Sequence, residues 1–172
     1  MKCDSIREKY SKYGVKEYYE KFGNEYSNPH DTNVMQLLGQ IESRRYKTGI
    51  DFSCGDGLVS ICLDSIRWIG VDPFLAKRYS AVTGNPVIEC SMEQVSTGTT
   101  QLPVVDLVVC SYCFDIFERS YIDLFLWRLS LICDTLVVIR ANKKVLESNW
   151  WHIDSTFKRG RSVMCIYNRH VP

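Results

Sequence analysis

The chain of 172 residues carries 21 Lys plus Arg against 20 Asp plus Glu, a net charge of +1, and 45% of it is apolar. That length fits one domain, and the composition lies far from the low-hydrophobicity, high-charge regime of disorder. Near-neutrality gives no large basic field for nonspecific nucleic-acid binding, and Asp106, Asp123 and Arg128 interrupt every apolar run before the ~20 residues that span a bilayer.

Residues 1–12 mix acidic and basic side chains without an apolar block, so they read as neither a secretory signal nor a transit peptide. A cytoplasmic location without membrane association is the expectation. Val15, Tyr18, Tyr19, Phe22 and Tyr26 fall at helical spacing, and a second stripe follows at Val34, Leu37, Leu38 and Ile41. Pro29 interrupts the first helix, and Asp31 or Thr32 is placed to cap the second. These residues, 1–47, form a helical cover ahead of a core over 48–172, within a single domain.

From residue 49 short apolar runs alternate with helical stretches. The runs 49–52, 67–71, 86–89, 104–110 and 135–139 read as buried parallel strands. The segments 58–65, 75–82, 92–97 and 120–132 are long enough for crossover helices, and Ile122, Phe125, Leu126, Leu129 and Ile132 give the last a clear apolar face. Residues 149–157 and 162–168, separated by Lys158-Arg159-Gly160-Arg161, look like a terminal hairpin. The predicted architecture is a Rossmann-like, doubly wound α/β fold of seven strands, mainly parallel, with the last strand inserted antiparallel.

Eight cysteines are scattered through apolar stretches: Cys3, Cys54, Cys62, Cys90, Cys110, Cys113, Cys133 and Cys165. They read as buried free thiols. Cys110 and Cys113 have no second pair at zinc-finger separation, so no metal site is expected.

The chemistry concentrates in Ile50-Asp51-Phe52-Ser53-Cys54-Gly55-Asp56-Gly57, which runs from a strand into a helix through a glycine-bearing turn. Missing side chains there let a ligand approach the backbone. Twenty-one residues beyond Asp51, Asp72 ends the next strand in Trp68-Ile69-Gly70-Val71-Asp72, where a carboxylate can accept the hydroxyls of a ribose. Asp72 is also followed by Pro73, a pattern that serves helix capping alone. A nicotinamide fingerprint needs Gly-x-Gly-x-x-Gly, and Ser53, Gly55 and Leu58 miss two of its three glycines. Neither a phosphate-cradling Gly-x-x-x-x-Gly-Lys-Ser/Thr loop nor a Gly-x-Ser-x-Gly nucleophile elbow occurs.

The paired signals over residues 48–168 resemble class I S-adenosylmethionine-dependent methyltransferases. Asp51 to Gly57 matches that family's acidic-plus-glycine first motif, with Ser53 standing where its first glycine usually is, and Asp72 matches its ribose-binding acid. The resemblance implies S-adenosyl-L-methionine as cofactor, held by Asp51, Ser53, Gly55, Gly57, Asp72 and Pro73. It implies adenine contacts from the segment that holds Ser91 and Met92, and further contacts at Ser111, which ends the fourth strand. Tyr18-Tyr19 and the stretch from Tyr26 to His30 resemble the helices that cover the methionine end in small members.

The acceptor-positioning candidates are Ser111, Tyr112 and Asp115 after the fourth strand, with Tyr26, Asn28 and His30 from the cover. For Tyr19 and Tyr26 core packing is the competing reading, and for His30 a turn role is. Cys110-Ser111-Tyr112-Cys113 lacks the Pro-Cys context of a cytosine C5 nucleophile and the Asp/Asn-Pro-Pro-Tyr of adenine-directed families. Lys143, Lys144, Lys158, Arg159 and Arg161 gather charge near the hairpin, where a nucleic-acid contact fits. The acceptor stays open among small molecules, RNA and protein. A noncatalytic methyltransferase-like subunit that binds a protein partner and, behind it, an NAD-binding protein are the competing readings.

Overall fold

The computed structural model describes residue 10 and residues 12–23, 30–141 and 145–170. Among them run α1 (Val15–Phe22), α2 (Asp31–Leu38), β1 (Thr48–Phe52), α3 (Leu58–Cys62), β2 (Arg67–Val71), α4 (Ala76–Thr83) and β3 (Val87–Ile88). The chain continues through α5 (Met92–Thr97), β4 (Leu107–Ser111), α6 (Arg119–Ser130), β5 (Thr135–Arg140), β6 (Trp151–Arg159) and β7 (Ser162–Arg169). All seven strands join one sheet in the order β3-β2-β1-β4-β5-β7-β6. Strands β1 to β5 pair in parallel, and β7 enters antiparallel between β5 and β6.

The expected fold is therefore present. Strand order reverses between β1 and β4, the position at which an open α/β sheet leaves a crevice beyond its carboxyl ends.

Each sheet face is closed by helices whose apolar spacing the sequence carries. Ile50, Phe52, Val108, Cys110, Leu136 and Val138 face α5 and α6, joined by Met92, Val95, Phe125, Leu126 and Leu129. Leu107, Val109, Val137 and Ile139 face the other way, toward Val34, Leu37 and Leu38 of α2 and Val59 of α3. Two indoles anchor loops to this frame: Trp68 Nε1 donates to the Leu63 carbonyl and Trp151 Nε1 to the Leu126 carbonyl, both at 2.9 Å.

Several boundaries move, each for a local reason. The fourth strand begins at Leu107 rather than 104, because the Asp106 carboxylate turns back to accept the amides of Lys47 and Thr48 at 2.8 and 2.9 Å. The helix expected over 58–65 ends at Cys62, where the Leu63 carbonyl is taken by Trp68 and by the Ile66 amide. Neither Asp31 nor Thr32 caps α2: His30 holds the cap position and Asp31 lies in the first turn, where its charge suits the helix dipole. Strand β3 shrinks to Val87–Ile88, and β6 begins at Trp151 and carries a register shift between Ile153 and Ser155.

The seven cysteines among the described residues are free, and six of them are buried. Burial pushes the Cys90 thiol up to about 11 and that of Cys133 up to about 12, so both stay protonated and unreactive at neutral pH. Among the described residues no His/Cys/Asp/Glu cluster suits a metal ion, and no helix is long and apolar enough to cross a membrane.

Candidate functional site

The turn after β1 is shaped by three left-handed residues, Ser53 at φ 57°, Gly55 at φ 55° and Gly57 at φ 89°. Their roles differ. A Cβ built on Gly55 meets nothing within 4 Å, so this glycine faces open space. On Gly57 a Cβ would lie 2.3 Å from Thr83 Cγ2 and 3.3 Å from the Tyr79 ring, so that glycine lets the turn pack against α4. Ser53 adopts the left-handed region without a glycine's freedom, at a cost of roughly 1–2 kcal/mol.

Beneath the turn, Asp51 is 1% exposed and no cation pairs with it among the described residues. The Ser60 hydroxyl, from α3, donates to Asp51 Oδ2 at 2.9 Å and lies 2.8 Å from the Tyr79 hydroxyl of α4. Burial, only partly offset by the Ser60 bonds, pushes the Asp51 carboxyl up to about 7 and the Tyr79 phenol up to about 12. Tyr79 fits because Gly70, in β2, leaves the space: a Cβ there would stand 2.4 Å from the ring. Ser60 and Tyr79 escape the sequence reading, although a glycine inside β2 is itself a signal of close approach.

Asp72 follows β2 and is 6% exposed. Its Oδ1 accepts the amides of Phe74 and Leu75, both at 2.8 Å, and its Oδ2 accepts the Gly55 amide at 3.2 Å. One carboxylate thus ties the glycine turn to the turn after β2. A carboxylate offers about four acceptor positions. Three are filled by amides, and the remaining one lies on Oδ2. Burial raises the Asp72 carboxyl while the three amides pull it back down.

Helix α1 lies over this pair of turns. Tyr19 stacks on Phe74, two residues past Asp72, with ring centroids 5.1 Å apart and planes within 8°, and its hydroxyl meets that of Tyr10 at 2.8 Å. Tyr18 is buried. At the rim, Arg78 Nη2 pairs with Asp56 Oδ2 at 3.1 Å. Pro73, half-buried, sits between Asp72 and Phe74 and has no amide hydrogen to offer a ligand.

On the other side of the crevice, Ser111 ends β4 and Tyr112 follows it at φ 56°. The Tyr112 ring stacks on His30 at 4.6 Å and 7°, and its hydroxyl bonds to Ser162 Oγ at the start of β7. Asp115 is held by Arg140 Nη2 at 2.7 Å. Ser91 and Met92 lie on the β3 side: the Ser91 hydroxyl and the Gln94 side chain form a capping box on α5, while Met92 is buried in the core. Tyr26 and Asn28 lie outside the described residues, as do Lys143 and Lys144.

The structure thus gathers Asp51, Ser53, Gly55, Gly57 and Asp72 at the carboxyl ends of β1 and β2, with Ser111, Tyr112 and His30 across the β1–β4 gap. A pocket of about 260 Å³ lined by Val95, Leu102, Arg128 and Ile132 lies elsewhere, between α5 and α6.

The same architecture recurs in solved structures. The N-methyltransferase NodS from Bradyrhizobium japonicum WM9, in complex with S-adenosyl-L-homocysteine, is 10% identical at a TM-score of 0.67, with 83% of this chain and 89% of that one covered. Magnesium protoporphyrin IX methyltransferase (ChlM) from Synechocystis PCC 6803, with bound SAM, is 14% identical at a TM-score of 0.66, covering 96% and 95%. The mitomycin 7-O-methyltransferase MmcR is 11% identical at a TM-score of 0.71, and the chain, 91% covered, spans 58% of it. The likeness to these methyltransferases, at 10–14% identity, is one of fold. No protein-family model and no curated protein matches the sequence.

Proposed function

We propose that the chain binds S-adenosyl-L-methionine and transfers its methyl group to an acceptor at the crevice between β1 and β4. The observation that carries this reading is the Gly55 amide bonded to Asp72 Oδ2 at 3.2 Å, because it joins a glycine turn open on its Cβ side to a buried acid at the neighbouring strand end.

The residues fit the cofactor. Gly55 leaves room for the methionine portion to pass close to the backbone, and the open position on Asp72 Oδ2 accepts one ribose hydroxyl. Phe74 and Tyr19 close the adenosyl side with stacked rings. When bound, that group would supply an activated methyl, so that transfer would need only an acceptor lone pair in line with the carbon–sulfur bond, whose electron pair would stay with sulfur while the acceptor's proton went to water. Alignment can supply roughly 7–11 kcal/mol of barrier reduction, so the residues around the crevice need to orient an acceptor rather than hold a strong base. Ser111, Tyr112 and His30 stand where that orientation happens. Asp115 is engaged by Arg140 instead.

Isothermal titration with S-adenosylmethionine and S-adenosylhomocysteine tests the reading, followed by radiolabelled methyl transfer to an acceptor panel. Binding of both ligands with turnover on one acceptor supports it. Binding without turnover across the panel supports the noncatalytic, partner-binding alternative.

A further inference from the structure

The β6–β7 hairpin brings a feature to the crevice that the cofactor reading leaves unused. Because β7 runs antiparallel to β5, with Arg140 opposite Val163, its first residue lies at the carboxyl edge of the parallel strands, the same edge as the glycine turn. The turn between Arg159 and Ser162 therefore overhangs the acceptor side. It is pinned there twice: Ser162 Oγ meets the Tyr112 hydroxyl, and Gly160 lies against the Asn33 side chain of α2, which a Cβ would approach to 3.4 Å.

This tip is strongly and asymmetrically charged. Lys158, Arg159 and Arg161 are exposed, no acid occurs over residues 155–168, and none of the three makes an ion pair among the described residues. Lys158 stands opposite Val163 and so on the same sheet face as Arg140, whose own charge Asp115 balances; Arg159, opposite Ser162, faces the α2 side. Cations thus leave both faces of the hairpin tip, Arg159 on the α2 face that also carries Tyr112, bonded to Ser162, and its stacked partner His30, and Lys158 on the other face. Cations that follow a backbone beside flat rings that receive a base are the chemistry of single-stranded nucleic-acid recognition.

We infer that the hairpin tip holds the phosphates of a single-stranded nucleic acid, one nucleotide of which enters the crevice beside Tyr112 as the methyl acceptor. The inference rests on the cofactor reading for the transfer step. A single strand fits better than a duplex because a base held inside a duplex stack does not reach the crevice between β1 and β4.

The test is fluorescence anisotropy with labelled oligouridylate and oligothymidylate of about 20 nucleotides, on the full chain and on the triple variant Lys158→Ala/Arg159→Ala/Arg161→Ala. Salt-dependent binding by the wild type is expected. The triple variant should bind at least about tenfold more weakly at low salt, and its log–log salt slope should fall by about two, since three phosphates are no longer neutralised. Its affinity for S-adenosylhomocysteine, measured by calorimetry, should be unchanged, which shows that it is folded. Equal strand binding by variant and wild type would overturn the inference, as would no strand binding by a wild type that binds the cofactor. Polyglutamate competing as well as oligouridylate would overturn it in favour of an acidic protein. Absence of cofactor heat in the wild type would instead sink the function proposed above and, with it, the acceptor assignment; that titration is read separately from the strand.

Discussion

The hydroxyl of Ser60 donates to Oδ2 of Asp51 at 2.9 Å, and it is the nearest thing to compensation that this buried carboxylate has among the described residues. Asp51 closes the floor of the glycine turn, so its protonation ties the stability of the site to pH. Its carboxyl is pushed up to about 7 by burial, against an unfolded value near 4. Between those values the folded state binds more protons than the unfolded one. The contribution is therefore fully present below about pH 4 and is lost as pH rises through about 7. Asp72, also raised by burial, adds the same sign. Thermal melts should show the midpoint falling from pH 5 to pH 8, and Asp51→Asn, neutral throughout, should flatten that slope and match or exceed the wild type at pH 8. A slope unchanged in the variant would remove Asp51 from the account.

The three left-handed positions of the turn make contrasting predictions. Gly57→Val places a branched side chain 2.3 Å from Thr83 at φ 89° and should destabilise by about 3 kcal/mol or more. Gly55→Ala meets only the backbone cost of φ 55°, about 1 kcal/mol, and should fold. A bulkier Gly55→Val should still fold but lose cofactor affinity, since its side chain fills the open space. Ser53→Gly relieves the left-handed cost against a larger unfolded-state entropy, for a net gain of up to about 1 kcal/mol. Urea denaturation orders the four variants, and a Gly55→Val protein that binds as tightly as the wild type would contradict the backbone approach.

Asp72 has two tasks that substitutions can separate. Ala removes the acceptor for three amides and should cost about 2 kcal/mol of stability along with the cofactor. Asn keeps one carbonyl oxygen for two of those amides and should fold more nearly as the wild type while binding S-adenosylhomocysteine about tenfold or more weakly, the loss of one charge-assisted hydrogen bond. Unchanged affinity in a folded Asp72→Asn protein would place the ribose elsewhere.

Tyr112→Phe keeps the ring stacked on His30 and removes the bond to Ser162. The expected cost is about 1 kcal/mol, with cofactor affinity retained, because the hydroxyl fastens the hairpin rather than the cofactor. A loss of cofactor affinity without a loss of stability would reverse that assignment.

Much of this fold is legible in the sequence because buried parallel strands write themselves as apolar runs: Arg67–Val71 ends where the run does, and Met92–Thr97 lies between Ser91, which begins a capping box, and Gly98. The antiparallel insertion of β7 follows from a hairpin appended to a parallel unit. What escapes depends on residues distant in the chain. Asp106 shortens β4 by reaching Lys47 and Thr48, 58 or 59 positions away, and Ser60 and Tyr79 meet beneath Asp51 only once two helices pack on the same face. Asp72 reads in the sequence as either a cap or a ribose ligand. Its amide bonds to Phe74 and Leu75 serve the turn, while Gly55 brings its second oxygen to the site.

Isothermal titration calorimetry of the full chain with S-adenosylhomocysteine, wild type against Gly55→Val, decides whether the glycine turn holds the cofactor. Saturable binding at one site per chain is expected, lost in the variant although its melt remains cooperative. A well-folded wild type that takes up neither S-adenosylhomocysteine nor S-adenosylmethionine would contradict it.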